Sequence, residues 1–487
     1  MKLSALLNSI VEVDTDIECS GLCLDSRFAK QGDLFIALNG ALQHGLNYVD
    51  QAIKNGAIAV IYDPAGFKQP QHKTAGFIAM PIRDLSQQLG EIAARFYQYP
   101  SRQLDVIGVT GTNGKTTCSQ LIAQALTGCG VIGTLGWGEL GQLQDTANTT
   151  PDAVAVQKML LKFVEQKKSA VAMEVSSHGL QQGRVNAVDF KGAVFTNLSR
   201  DHLDYHGSMA SYLQAKLGLF TNSALKFVVV NLDDPNSPQV LQAVKKDVKR
   251  WTFSTSNQTV AGAECLTASN VQHRQDGIFF DVNWAGQTAQ ASTPIVGTFN
   301  LQNVMTVLCV LLAQDWPFAK AVAQLANLKP VVGRMEKFGG QDKPAVIVDY
   351  AHTPDALEKV LLSCKGNGQL WAVFGCGGDR DTGKRPQMGR IAESCADHVI
   401  VTDDNPRTEA AETIIQDILQ GCVTQKVSII NDRALAINTV IHQAAQNDCI
   451  VIAGKGHENY QEIKGVKIPF SDQAVVQQAL ATWKPKA

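Results

Sequence analysis

The run Gly108-Val109-Thr110-Gly111-Thr112-Asn113-Gly114-Lys115-Thr116-Thr117 sets the architecture around it. Residues 104–109 are apolar but for Asp105 and read as a buried strand, while 118–126 carry apolar side chains at helical spacing. A strand, a glycine turn bearing Lys-Thr-Thr and a helix together make a phosphate cradle. Backbone N–H groups and the helix N-terminus face the anion, Lys115 adds a point charge, and a threonine hydroxyl can reach magnesium. The generic phosphate-loop pattern places four residues between its first glycine and the Gly-Lys pair. Here five separate Gly108 from Gly114, so the tighter 111–117 form rests on its strand–turn–helix setting. A solvated lysine on a plain glycine turn is the alternative, and the flanking elements argue against it.

Working outward, 487 residues are too many for one ordinary core and suggest about three domains. Hydrophobic residues make up 45% and charged residues 18%, which fits an α/β enzyme rather than a disordered or fibrous chain. A net charge of −2 provides no overall field toward nucleic acid or an anionic membrane, so neither is expected as a partner. The N-terminal apolar run is too short for a signal peptide, and no segment approaches the roughly 20 apolar residues that span a bilayer. A cytoplasmic location is therefore expected. Eleven cysteines lie scattered, mostly inside apolar runs, with no Cys-x-x-Cys pair; buried free thiols explain them better than disulfides or zinc.

Taken in order, residues 1–100 suggest a small N-terminal α/β domain. Strands are expected at 32–38 and 57–62 and helices at 48–55 and 84–97, the last ending before Pro100. Asp25-Ser26-Arg27 reads as a polar turn. Residues 101–333 form a central domain with a P-loop ATPase-like parallel sheet. Its strands at 169–175, 192–198 and 225–232 each end in hydroxyl, carboxylate, amide or histidine groups, where ligands of open parallel sheets lie. Alternating runs near 250–293 suggest an antiparallel patch. Residues 334–487 alternate strands at 345–350, 370–374, 398–402, 427–430 and 449–453 with helices, giving a C-terminal Rossmann-like parallel sheet. Taken alone, Thr116 and Glu174 suit magnesium, whereas His202 reads as a hydrogen-bonded loop histidine and Lys216 as a solvated helix residue.

Several longer motifs occur in order: Glu174-Val175-Ser176-Ser177-His178-Gly179-Leu180; Asn197-Leu198-Ser199-Arg200-Asp201-His202-Leu203-Asp204-Tyr205-His206-Gly207; Gly333-Arg334-Met335-Glu336; Asp349-Tyr350-Ala351-His352-Thr353-Pro354-Asp355; and Asp404-Asn405-Pro406-Arg407. With 111–117 they resemble the Mur ligases, and within that family the branch that adds meso-2,6-diaminopimelate. The resemblance runs from Asp25 to Glu458.

It implies an ATP-dependent amide ligase of peptidoglycan precursor synthesis, expected to be a monomer. ATP would phosphorylate the D-Glu γ-carboxylate of UDP-N-acetylmuramoyl-L-Ala-D-Glu, and an amine would displace the phosphate. By this resemblance Gly111, Thr112, Asn113, Gly114, Lys115, Thr116, Thr117, Asn300, Asn303, Arg334 and Asp349 face ATP. Lys115, Glu174, His202 and Lys216 take catalytic roles. Lys216 falls at the family's carbamylated (N6-carboxylysine) position, so Thr116, Glu174, His202 and the Lys216 carbamate would hold Mg2+. The UDP-linked dipeptide would meet Leu24, Ser26, Gln43, Asn148, Thr149, Thr150, Ser176, Gln182 and Arg184; the loop 41–45 departs from the family's commoner histidine-first wording. Arg380, Asp404, Asn405, Pro406, Arg407, Gly454, Lys455 and Glu458 would hold diaminopimelate.

Diaminopimelate and lysine differ by one distal carboxylate. Arg407 offers a planar fork for it, whereas a plain surface arginine at a helix start would oppose the helix dipole. A lysine-adding ligase is the alternative donor reading. A nucleotide switch that makes no bond is a rival class, disfavoured by a third domain rich in charged strand ends.

Overall fold

The computed structural model describes residues 1–40, 43–65, 77–274, 276–424 and 426–485. Two compact units emerge, one comprising Met1–Thr110, Leu126–Ala193 and Ala215–Lys226, the other Gly111–Ala125, Val194–Gln214 and Phe227–Ala487.

In the first unit, the strands Gly21–Cys23, Asp33–Ala37, Ala59–Tyr62 and Ile78–Pro81 form a four-stranded parallel sheet in chain order. Asp33–Ala37 is buried at every position because both faces are covered. Leu34 and Ile36 join a core with Leu3, Leu6, Leu85, Leu89 and Ile92, whereas Phe35 and Ala37 join another with Val49, Ala52 and Val60. This alternation is the two-residue period of a strand. The helix Leu85–Phe96 brings Leu85, Leu89 and Ile92 onto one stripe and lays it on the first core.

A second sheet of this unit pairs Asp105–Thr110 in parallel with Ala170–Glu174, and that strand in parallel with Cys129–Gly133. Register Val109↔Glu174 brings the end of the loop-bearing strand level with the Glu174 carboxylate-bearing residue. The expected strand at 192–198 lies slightly earlier, at Phe190–Phe195, because the polar residues from Asn197 onward turn away as loop.

In the second unit, the helix Lys115–Ala125 packs against Asn300–Ala313, which is apolar nearly all round and accordingly buried. Phe227–Asn231, Lys249–Ser254 and Glu264–Arg274 pair in parallel, and Gly277–Trp284 and Gln287–Thr293 then continue antiparallel, so the antiparallel patch expected over 250–293 begins only at the Glu264–Arg274 strand. A further sheet has six strands in the order Glu336–Gly339, Ala345–Asp349, Cys449–Ala453, Leu370–Phe374, His398–Val401, Val427–Ile429. Five are parallel; the first is an antiparallel edge strand that the sequence reading missed. Ile347 and Val451 face one core while Val346, Val348, Ile450 and Ile452 face the other, as helices on both faces of a doubly wound sheet require. The mixed α/β class with parallel-rich sheets is as expected.

All eleven cysteines are free, but Cys265, Cys364, Cys395, Cys422 and Cys449 are only half-buried, so full burial was too strong an expectation. Among the described residues no helix is long and apolar enough to cross a membrane.

Candidate active site

The cradle has the backbone that its glycines require. Gly111 and Gly114 sit at φ +150° and +82°, in the region that favours glycine. A Cβ on Gly111 would meet Thr196 Oγ1, and one on Gly114 would come within 2.7 Å of Asn303 Oδ1. Asn197 Oδ1 accepts the Asn113 N–H at 3.0 Å, and Thr196 Oγ1 donates to the Asn113 carbonyl at 2.6 Å. Asn113 Nδ2 donates to Asp355 Oδ2 at 2.8 Å. Lys115, the first residue of its helix, donates its ammonium to the Gly111 and Thr112 carbonyls, each at 2.8 Å, folding the charge over the turn. Thr116 Oγ1 accepts from Arg334 Nη2 at 3.0 Å, and Thr117 is buried beside it.

The other expected ATP residues surround this turn in the same unit. Asn303 Nδ2 donates to Asn300 Oδ1 at 2.7 Å, and Asn300 Nδ2 to the Val296 carbonyl at 2.6 Å. Asp349 Oδ2 accepts the Met335 N–H at 2.7 Å, and the Arg334 guanidinium stacks 4.5 Å from the Tyr350 ring centre. Burial raises the Asp349 carboxyl above its ordinary range despite the nearby Arg334 charge.

Asp201, which the sequence reading left without a role, organises the end of the Asn197–Asp201 loop. Its Oδ1 accepts the His202 N–H at 2.9 Å, and its Oδ2 lies 3.3 Å from His202 Nε2 and 3.8 Å from His352 Nε2. Burial alone would raise its pKa, but the neighbouring His352 imidazole and the charges of His202, His352 and Lys384 hold it well below the carboxylate range. His352 Nδ1 lies 2.8 Å from the Tyr350 carbonyl, so Nδ1 carries the proton and donates. His202 itself adopts φ +54°.

In the first unit Glu174 ends the strand Ala170–Glu174 fully buried. Thr134 aims it: the backbone N–H donates to Oε1 at 2.8 Å and Oγ1 to Oε2 at 3.1 Å. Thr134 Oγ1 also lies 3.0 Å from Thr149 Oγ1. Thr150 Oγ1 donates to the Glu174 carbonyl and accepts the Ser176 N–H, both at 2.9 Å. Arg184 donates to the Thr150 carbonyl at 2.7 Å and to Gln182 Oε1 at 2.6 and 3.0 Å. Thr149, Thr150, Ser176, Gln182 and Arg184 are thus one connected patch, with Asn148 exposed at its margin. Elsewhere in this unit Ser26 Oγ donates to Gln51 Oε1 at 2.7 Å, half-buried Leu24 lies two residues before it, and exposed Gln43 bonds Tyr48. Ala41 and Leu42 of the 41–45 loop lie outside the described residues.

Lys216 corrects a local reading. Its side chain is 1% exposed within the helix Met209–Phe220, so it is a buried lysine and not a solvated one. Glu174 and Thr116 offer the carboxylate and hydroxyl oxygens that magnesium takes. Among the described residues no three His, Cys, Asp or Glu side chains already converge as metal ligands.

The expected donor residues meet at the ends of the six-stranded sheet. Asn405 Nδ2 donates to Glu458 Oε2 at 2.8 Å, and fully buried Lys455 bridges Asn405 Oδ1 and Glu458 Oε2 at 2.9 Å each. Gly454, at φ +113°, passes so close to Asp404 that a Cβ would come within 2.6 Å of Oδ2. Pro406 is buried and its carbonyl packs on Gly378. Arg407 is not at a helix start. It sits at φ +52°, its N–H bonded to the Glu462 carbonyl and its carbonyl to the Lys464 N–H. Nη1 donates to the Gly378 carbonyl at 2.6 Å and Nε lies 3.4 Å from Glu462, which leaves Nη2 uncommitted among the described residues. Arg380 is exposed and donates to the Asp379 carbonyl.

A diaminopimelate-adding UDP-N-acetylmuramoyl-L-alanyl-D-glutamate ligase of Pseudomonas aeruginosa is 46% identical over 480 residues, 97% of each chain. The chain belongs to the Mur ligase family. A ligase of the same description from Coxiella burnetii is 44% identical over 486 residues, covering 98% of this chain and 99% of its own. Family models agree: the Mur ligase catalytic domain matches 18–97, the middle domain 109–311 and the glutamate ligase domain 333–456. A solved structure of a ligase so described superposes with TM-score 0.69 at 38% identity over 99% of both chains. Within this Mur ligase, Thr134, Asp201, His352 and Asp355 are the polar groups that sequence reasoning passed over. Asp201, His352 and Asp355 lay inside quoted motifs and could have been singled out; Thr134 gave no signal beyond following Gly133 in a glycine-rich turn.

Proposed function

We propose that this Mur ligase joins meso-2,6-diaminopimelate to the D-Glu residue of UDP-N-acetylmuramoyl-L-Ala-D-Glu at the expense of ATP, in cytoplasmic peptidoglycan precursor synthesis. The observation that carries this reading is the donor loop, in which Arg407 presents an uncommitted guanidinium edge beside the Asn405–Lys455–Glu458 network. Near full-length identity to diaminopimelate-adding relatives favours it over a lysine donor. In this reading residues 1–100 hold the UDP end, 101–333 hold ATP and the dipeptide, and 334–487 hold the amino acid, in a chain that acts as a monomer.

A carboxylate is a poor electrophile and is repelled by a triphosphate. A unit pair of like charges 4 Å apart at an effective dielectric of 20 costs about 4 kcal/mol. Lys115 and the loop N–H groups offset that repulsion and stabilise charge on the transferring phosphoryl group. Asn300, Asn303, Arg334 and Asp349 hold the nucleotide's remaining groups. Thr116, Glu174, His202 and a Lys216 carbamate would hold magnesium, which supplies Lewis-acid charge neutralisation. Thr134 fixes the rotamer of Glu174 through both carboxylate oxygens. A γ-carboxylate oxygen bonds to the γ-phosphorus as the bond to ADP breaks. The donor amine nitrogen then bonds to the acyl carbon, loses a proton, and the carbon–oxygen bond to phosphate breaks. Leu24, Ser26 and Gln43 grip the uridine end, and Asn148, Thr149, Thr150, Ser176, Gln182 and Arg184 grip the dipeptide. Arg380, Asp404, Asn405, Pro406, Gly454, Lys455 and Glu458 complete the donor pocket around Arg407.

Phosphate release from ATP should require the UDP-dipeptide and diaminopimelate together and yield one new UDP-linked tripeptide. Nucleotide turnover independent of an amino acid, with no new UDP-linked product, would reject the ligase reading in favour of a switch.

A further inference from the structure

Two of the loops that make the pocket proposed for the donor lie at neighbouring strand ends. One follows the strand Leu370–Phe374 and the other the strand His398–Val401. They are in direct contact: the Gly378 N–H donates to the Asn405 carbonyl at 2.9 Å, and a Cβ on Gly378 would strike the Pro406 carbonyl. Thr408 donates its N–H and its hydroxyl to the Asp379 carboxylate, at 3.1 and 2.8 Å. Arg407 Nη1 reaches back to the Gly378 carbonyl. The position of the Arg407 fork is therefore set by the spacing of the two loops.

Arg385 lies beneath both, 1% exposed. Its Nη2 donates to the Gly377 carbonyl at 3.3 Å in the first loop and to Glu409 Oε1 at 2.8 Å at the end of the second. Its Nη1 donates to Asp417 Oδ2 at 2.9 Å on the helix Ala411–Leu419. Glu409 Oε1 also accepts the Asp379 N–H, closing a ring between the loops. The Arg385 hydrogen bond is the largest influence holding Glu409 below its ordinary carboxylate range. Arg385 is also the first residue of the helix Arg385–Cys395, where a cation opposes the helix dipole. Local helix energetics give no reason for an arginine there; the two carboxylates and the Gly377 carbonyl do.

We propose that Arg385 is a positioning residue for donor selection, fixing the separation of the Gly375–Arg380 and Asp404–Glu409 loops and so the place of the Arg407 guanidinium that meets the donor's distal carboxylate. The inference rests on the diaminopimelate reading of that pocket. Only a planar guanidinium serves all three acceptors at once; a lysine in the same seat is a point charge and drops at least one arm.

The test is Arg385→Lys beside the unaltered enzyme, measuring KM for diaminopimelate, KM for ATP, kcat and the diaminopimelate-to-lysine ratio. The unaltered enzyme is assayed first, and failure to use diaminopimelate there defeats the functional reading, not the role of Arg385. With that activity in hand, Arg385→Lys is expected to raise KM for diaminopimelate on the order of 10-fold or more, as small misplacements of positioning groups do. The donor ratio should fall with it while KM for ATP holds. An unchanged KM for diaminopimelate, or a rise in both KM values together with a lowered melting temperature, overturns the proposal. Should Arg385→Lys melt too low to assay, Glu409→Ala asks the same question from the more exposed end of the ring and must give the same split.

Discussion

Arg407 combines a strained backbone with a proposed recognition role, so substitutions there separate stability from function. Its φ of +52° lies in the left-handed region, which costs an L-residue about 1–2 kcal/mol and costs glycine essentially nothing. Arg407→Ala and Arg407→Gly both delete the Nη1 bond to Gly378 and the contact with Glu462, so those losses cancel between the two variants. What remains is the backbone term, which makes the glycine variant more stable than the alanine variant by about 1 kcal/mol. Both variants lose the donor contact. A charge-assisted hydrogen bond is worth about 1.5–3 kcal/mol, or roughly 10- to 150-fold in donor affinity at 1.4 kcal/mol per decade. Denaturant titration of the two variants, with KM for diaminopimelate and for ATP on each, reads both effects. The expected result is equal, large losses for diaminopimelate, unchanged ATP kinetics, and a stability gap in glycine's favour. Equal stabilities would refute the strain argument, and an unchanged KM for diaminopimelate would refute the recognition role.

Lys216→Ala is expected to abolish turnover without recovery in high bicarbonate, and intact mass of the unaltered chain should show one added CO2 that acid removes; near-normal turnover in the variant would count against the carbamate. Asp403 is pushed up to about 6, first by burial and then by Glu412 and Asp432, with Arg433 opposing. The folded chain therefore binds this proton more tightly than the unfolded one, and stability is lost as pH rises from about 4 to 6. Asp403→Asn should lack that fall, so the difference between the two stability profiles should carry it, and parallel profiles would contradict it. Asp472 and Arg433 form a fully buried pair bonded at 2.7 and 2.8 Å. Asp472→Asn should cost about 3–5 kcal/mol by stranding the guanidinium, whereas replacing both partners with apolar residues should cost much less, as denaturant titration would show.

Many of the parallel strands were legible because burial on both faces writes a continuous apolar run, as at Asp33–Ala37 and Cys449–Ala453, although Ile78–Pro81 and Cys129–Gly133 went unread. Short strands with little apolar content were not: Glu336–Gly339 reads as a charged turn, and it becomes a strand only by pairing with Ala345–Asp349. The cradle was legible from local order alone, since its glycines and lysine are contiguous. The buried state of Lys216 was not, because helix periodicity says which residues share a face and nothing of what covers it. Asp201 and His352 meet across a long stretch of chain, and Arg385 finds its carboxylates on a different helix and loop. Partnerships of that kind come from topology, which a linear pattern does not display. The Asp404–Arg407 motif pointed to the donor loop, but its left-handed Arg407 and the backbone bonds that hold it were visible only in three dimensions.

The most direct test of the account is a competition at equal concentrations of meso-diaminopimelate and L-lysine, with ATP, magnesium and UDP-N-acetylmuramoyl-L-Ala-D-Glu, followed by mass analysis of the UDP-linked product. The account expects the diaminopimelate adduct almost alone, with one phosphate released per amide formed. Predominance of the lysine adduct would contradict it.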